Sequence, residues 1–214
     1  ELSYGKAGFA LQFMLDTSLS DAERYPLKIS DLITMDLNAK NAPEQVHYGR
    51  SQDLELATLS NINLAMAGDK YYRPLAIANQ WIDYQGSVMA IDPSGRGADE
   101  TSYYVVKIID SQLFVTAGGG LQGGYGAEVL QALADVAKNQ SVNKIIIEDN
   151  FGDGMFTELF KPYLTRTYPV SVEGIKHHTQ KERRIIDTLE PVLAQHKLVI
   201  DRQLIENDYD SCNK

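Results

Sequence analysis

Asp92 and Glu148 are the residues whose setting in the sequence best suits chemistry. Each closes an apolar run. Asp92 ends SVMAID just before the turn residues PSGRG, and Glu148 ends KIIIE just before Asp149, Asn150 and Gly152. Carboxylates at two strand ends repel one another if they are brought close, unless a cation lies between them. An all-oxygen donor set calls for a hard divalent ion, Mg²⁺ or Mn²⁺. Two such ions about 3.5–4 Å apart can activate a water and stabilise the leaving oxygen in phosphodiester hydrolysis. The competing reading is structural, because Asp before Pro-x-Gly is a common turn residue and Glu after a strand is often a solvated end.

Weaker metal candidates flank these two. Asp99 lies a few residues beyond the turn, where it could return as a supporting ligand or stay exposed beside Glu100. Asp149 follows Glu148 and points to the opposite face if the strand continues, so it reads better as a turn residue. Lys176, His177, His178, Lys181, Arg183 and Arg184 form the main basic cluster. The cluster reads either as a track for DNA phosphates through Lys176, Lys181, Arg183 and Arg184, or as a solvated helix start. His177-His178 has neither a cysteine partner nor a third histidine nearby for zinc.

The elements that must position these residues follow from periodicity. Ser87 to Asp92, Tyr103 to Ile109 and Gln112 to Ala117 are predicted strands, the last stopped by the glycine cluster Gly118 to Gly124. Tyr125, Val129, Leu130, Leu133, Val136 and Ala137 recur at helical spacing. Lys144 to Glu148 is a short apolar strand of the kind buried on both faces. A helix over about Met155 to Thr165, a strand at Val170 to Gly174, a helical face from Ile185 to Leu193 and a strand at Leu198 to Asp201 complete the order. Pro191 either kinks that last helix or starts a new turn. The fold class is therefore α/β: a three-stranded meander, then α-β-α-β units, giving a mixed sheet flanked by helices. This order resembles the RNase H-like fold, in which the first and fourth strands are parallel neighbours. Asp92 and Glu148 would then stand side by side.

The segments IDPSGRGADETSYYVV, KIIIEDNFGDGMF and KERRIIDTLEPVLAQHKLVID resemble the T7-like terminase large subunit family over most of residues 87 to 201. ELSYGKAGFALQFMLDTSLSDAERYPL looks like the segment that ends that family's ATPase domain. The resemblance implies three regions. Residues 1–36 are a helical ATPase-end segment, with a capping pattern at Ser20-Asp21-Ala22-Glu23; 37–85 are an extended connecting region; 86–214 are a nuclease domain, incomplete at its C-terminus. It implies that Asp92 and Glu148 are metal-binding catalytic residues of an endodeoxyribonuclease that cuts concatemeric viral DNA during genome packaging. Lys181 and Arg184 match the family's basic motif. The family's third catalytic aspartate lies in a His-Asp-Asp-type motif on a late helix, and nothing before Lys214 matches it. Asp187, Asp201, Asp208 and Asp210 are available, with Asp201 and Asp208 the first to test. Without that acid the second ion of the two-ion site should bind weakly and cleavage should be slow. Implied partners are double-stranded DNA, the ATPase domain, the portal ring and the small terminase subunit, in the host cytoplasm and transiently at the procapsid portal. The rival readings are another RNase H-like nuclease, of resolvase or transposase type, and a non-catalytic module that docks to DNA or to the portal.

Composition fits this frame. The 214 residues carry a formal charge of −9 with 43% hydrophobic and 23% charged residues, which excludes disordered and coiled-coil classes. Net acidity confines any DNA contact to a local basic track. The lone cysteine, Cys212, excludes a disulfide framework. No apolar run approaches the roughly 18 residues of a membrane span, and the start lacks a signal-peptide pattern, so a soluble intracellular protein is expected. GGGLQGGYG lacks the Lys and Ser/Thr of a phosphate loop, so no ATP site is expected.

Overall fold

A computed structural model describes residues 26–60, 69–94, 99–148, 154–176 and 180–212, the side chains of 60 and 208–212 excepted. The reading of residues 1–25 as helix, and the residues Asp149, His177 and His178, lie outside the described residues.

The alternating run from 86 onward folds as expected. Strands β6 (Gly86–Asp92), β7 (Thr101–Ile109) and β8 (Gln112–Leu121) form an antiparallel meander. Helix α2 (Ala127–Asn139), strand β9 (Lys144–Glu148), helix α3 (Met155–Thr167) and strand β10 (Ser171–Ile175) follow. Helix α4 (Lys181–Ala194) is continuous, with Pro191 in its last turn, and leads into strand β11 (Leu198–Asp201). Ahead of them lie β1 (Ile33–Met35), β2 (Asn41–Pro43), β3 (Val46–His47), the short helix α1 (Ala57–Ser60), β4 (Ala76–Ile77) and β5 (Trp81–Asp83).

The main sheet has seven strands in the order β1-β11-β8-β7-β6-β9-β10. β6 runs antiparallel to β7 but parallel to β9, so the sheet is mixed. Two small two-stranded sheets, β2 with β5 and β3 with β4, extend from it.

Three features depart from the sequence reading. β8 does not stop at Ala117 but runs on through Gly118, Gly119 and Gly120, paired with Tyr104, Tyr103 and Ser102. Only Gly123 and Gly124, with φ of 120° and 55°, make the turn that glycine's freedom permits. The short strand β1 joins the main sheet beside β11, and an eleven-residue helix, α5 (Arg202–Cys212), follows β11.

Side-chain alternation sorts the sheet into two faces. Met89, Ile91, Val105, Ile145 and Ile147 point to one face and pack against Val129, Leu130, Leu133, Ala134 and Ala137 of α2 and Phe156, Phe160 and Leu164 of α3. Fully burying one such side chain stabilises by about 1.5–3 kcal/mol. The same face continues into a second cluster of Ile33, Ala42, Val46, Ile109, Phe114 and Val199. On the other face Leu59, Tyr71 and Ile205 gather with Ile200. α5 lies over β8 and β11 there.

Candidate functional site

Because Ile91 and Ile147 are cross-strand partners facing the helices, the next residue on each strand turns to the opposite face. Those residues are Asp92 and Glu148. Their strands are hydrogen-bonded and parallel, at the usual spacing of about 4.8 Å. The apolar alternation that builds the core therefore sets two carboxylates side by side at the carboxyl ends of adjacent strands.

Both line one cavity of about 180 Å³ together with Ala90, Ser102, Tyr104, Ile146 and Ile175. Its rim is pinned beyond Asp92. The Ser94 amide donates to Thr101 Oγ1 at 3.1 Å, and the two hydroxyls lie 3.2 Å apart, both side chains being buried. Sequence reading missed this clamp and the lining residues Ser102 and Tyr104, although period two along β7 already puts 102 and 104 on the same face.

The basic residues do not behave alike. Lys181 and Arg184 lie three apart at the start of α4, so they share one helical face. Lys181 Nζ donates to Asp92 Oδ2 at 2.8 Å, and Arg184 Nη2 stands 3.5 Å from Glu148 Oε1. The hydrogen bond to Asp92 raises the Lys181 pKa, with the Asp92 charge adding to it. The Lys181 pair is half exposed and the Arg184 pair is largely covered. Arg183 is turned away, 83% exposed and 3.8 Å from Asp187. Lys176 is exposed just beyond the end of β10.

Asp99 is exposed, two residues before β7, and is not among the residues that line the cavity. Among the described residues, no group of three or more His, Cys, Asp or Glu side chains is poised for a metal. Asp201 does not complete the pair, contrary to its place among the first acids to test. β11 is three strands from β6, a separation of about 14 Å. Val199 faces the α2–α3 side of the sheet, so Asp201 does too, away from Asp92. There its Oδ1 accepts the Gln203 amide at 3.2 Å and caps α5, and burial raises its pKa.

The whole arrangement is a mixed α/β sheet that carries two juxtaposed carboxylates opposite its helical layer, with cations from α4 against them. A family model described as the Ribonuclease H-like domain of the bacteriophage T7 terminase matches residues 91–198. The chain belongs to this family. Over 211 residues, 99% of its length, it is 40% identical to the large terminase subunit of Enterobacteria phage T3 and spans 36% of that protein. Similar solved structures include the large terminase nuclease of thermophilic phage G20c, at 9% identity and a TM-score of 0.43, covering 56% of this chain and 61% of that one. A manganese-soaked, inhibitor-bound human cytomegalovirus terminase nuclease domain shares 10% identity with a TM-score of 0.45, covering 61% and 73%. Among the described residues, no helix is long and apolar enough to cross a membrane.

Proposed function

We propose that this chain is a divalent-metal-dependent endodeoxyribonuclease domain of a phage terminase large subunit, with Asp92 and Glu148 as its metal-holding catalytic residues. The observation that carries the reading is that these carboxylates end the adjacent parallel strands β6 and β9 and line one cavity, in a member of the terminase family. The donor set fits the ion, since both donors are carboxylate oxygens and the pair already draws in two cationic side chains. A hard dication bound there supplies a water activated for attack and charge to stabilise the leaving oxygen.

The residues of the chain do the rest. Lys181 and Arg184 balance the charge of Asp92 and Glu148 until a ligand arrives. Lys181 and Arg184 meet phosphate oxygens of double-stranded DNA, with Arg183 and Lys176 extending the track over α4 and the end of β10. With Asp201 assigned to a cap, Asp208 is the remaining one of the two acids to test as a third ligand. In the intact protein, we place residues 1–25 at the end of an ATPase domain, since β1 already belongs to the main sheet, and 37–85 as connection, with the portal ring and small terminase subunit as partners and the host cytoplasm as the site of action.

The test is nicking of supercoiled plasmid in Mg²⁺ and in Mn²⁺. Wild type should cut slowly at best for want of a third acid, and Asp92→Asn and Glu148→Gln should each abolish what cutting there is while keeping the native circular dichroism spectrum. Cutting that survives both substitutions would reject the assignment. Lys181→Ala with Arg184→Ala should flatten the dependence of log affinity on log salt by roughly one unit per lost phosphate contact.

A further inference from the structure

Lys181 and Arg184 contact carboxylate oxygens that a metal cation would need. Lys181 Nζ is 2.8 Å from Asp92 Oδ2, and one carboxylate oxygen cannot serve an ammonium and a dication in the same place. Arg184 stands likewise against Glu148, at 3.5 Å. Both side chains come from the first turn of α4, whose only buried residue is Leu193 near its other end. The Lys181 side chain is 58% exposed, so it can swing off Asp92 without losing a buried environment.

We infer that Lys181 and Arg184 are exchangeable counter-ions that make metal loading and DNA binding cooperative. The inference rests on the proposed nuclease reading. In the free protein, an incoming dication must displace two cations and then sit beside them unpaired. When DNA is present, its phosphates take up both side chains and leave the carboxylates to the metal. Coupling between two ligands is reciprocal, so metal tightens DNA binding by the same factor by which DNA tightens metal binding.

The experiment titrates Mn²⁺ into the DNA-free chain by electron paramagnetic resonance, and measures affinity for a short duplex by fluorescence anisotropy in EDTA and in Ca²⁺. Lys181→Met should tighten Mn²⁺ binding about three- to tenfold, the scale of an exposed ion pair lost plus a like charge removed. Arg184→Gln should act in the same direction, and the double variant should lose most of the Ca²⁺-dependent gain in DNA affinity. Arg183→Gln removes the same charge from the same turn but leaves both carboxylate pairs intact, so it should change Mn²⁺ affinity less than twofold. If Lys181→Met leaves Mn²⁺ binding unchanged or weaker while Asp92→Asn removes it, the counter-ion role is overturned and the metal site stands. If Asp92→Asn leaves Mn²⁺ binding intact, the metal site itself fails and the inference fails with it.

Discussion

Raising the pH from 7.5 to 10 should stabilise this protein, and Lys107 is the reason. Lys107 sits on β7 at an inward position between Val105 and Ile109, 2% exposed. Its Nζ donates to the carbonyls of Ala39 and, at 2.6 Å, Gln140, and lies 5.0 Å from the centre of the Tyr84 ring. Burial pushes its pKa from 10.5 down to about 8. Between those values the unfolded chain holds the proton while the folded chain has released it. The unfolded state then binds more protons, and stability rises with pH across the window. At about 1.4 kcal/mol per pKa unit, the gain approaches ~3 kcal/mol by pH 10.5. Burial has the opposite effect on Tyr84 and Tyr103, whose raised pKa values make the fold lose stability as pH climbs past the unfolded tyrosine value near 10. The assay therefore stops at pH 10, where a gain of about 2 kcal/mol is expected. Urea unfolding followed by circular dichroism would be compared for wild type and Lys107→Met. The variant should lose about 1–3 kcal/mol for each carbonyl left unpaired, offset by removal of the ammonium, but its stability should not rise over this range. Parallel pH curves for the two proteins would refute the argument, since the carbonyl bonds would then fully offset desolvation.

Three further outcomes follow from the packing. Asp201→Ala removes the cap on α5 and should cost about 1 kcal/mol in thermal or urea unfolding, with Mn²⁺ affinity unchanged; a lost metal site would contradict its place on the opposite face. A Cβ at Gly118 would stand 2.5 Å from Tyr104 Cδ1, so Gly118→Ala should destabilise by roughly 1 kcal/mol through displacement of that ring. In a Tyr104→Ala background the same change should become neutral or slightly stabilising, and additive effects in the double-mutant cycle would argue against the clash. Phe160→Ala, at a fully buried position between α3 and the sheet, should cost about 3–5 kcal/mol, read as a fall in the urea midpoint.

The sequence alone determined the series of strands and helices from Gly86 to Asp201, because each of those elements buries one face and so repeats its apolar residues at its own period. It also determined that Asp92 and Glu148 end two strands, since the apolar run and the turn residues are both local. What it left open is where local signals are weak or compete. ITM is too short to announce β1, RQLIENDYDSC is too polar to announce α5, and Gly118 to Gly120 read as a turn although pairing with β7 draws them into a strand. Tertiary structure alone decided that β6 and β9 are neighbours in register, that Asp201 faces away from that pair, that Lys107 turns inward, and that Lys181 and Arg184 meet carboxylates. Each of these depends on which distant segments share a sheet or a face. Periodicity records how deeply a residue is buried, but the partner it meets is fixed only when the chain closes on itself.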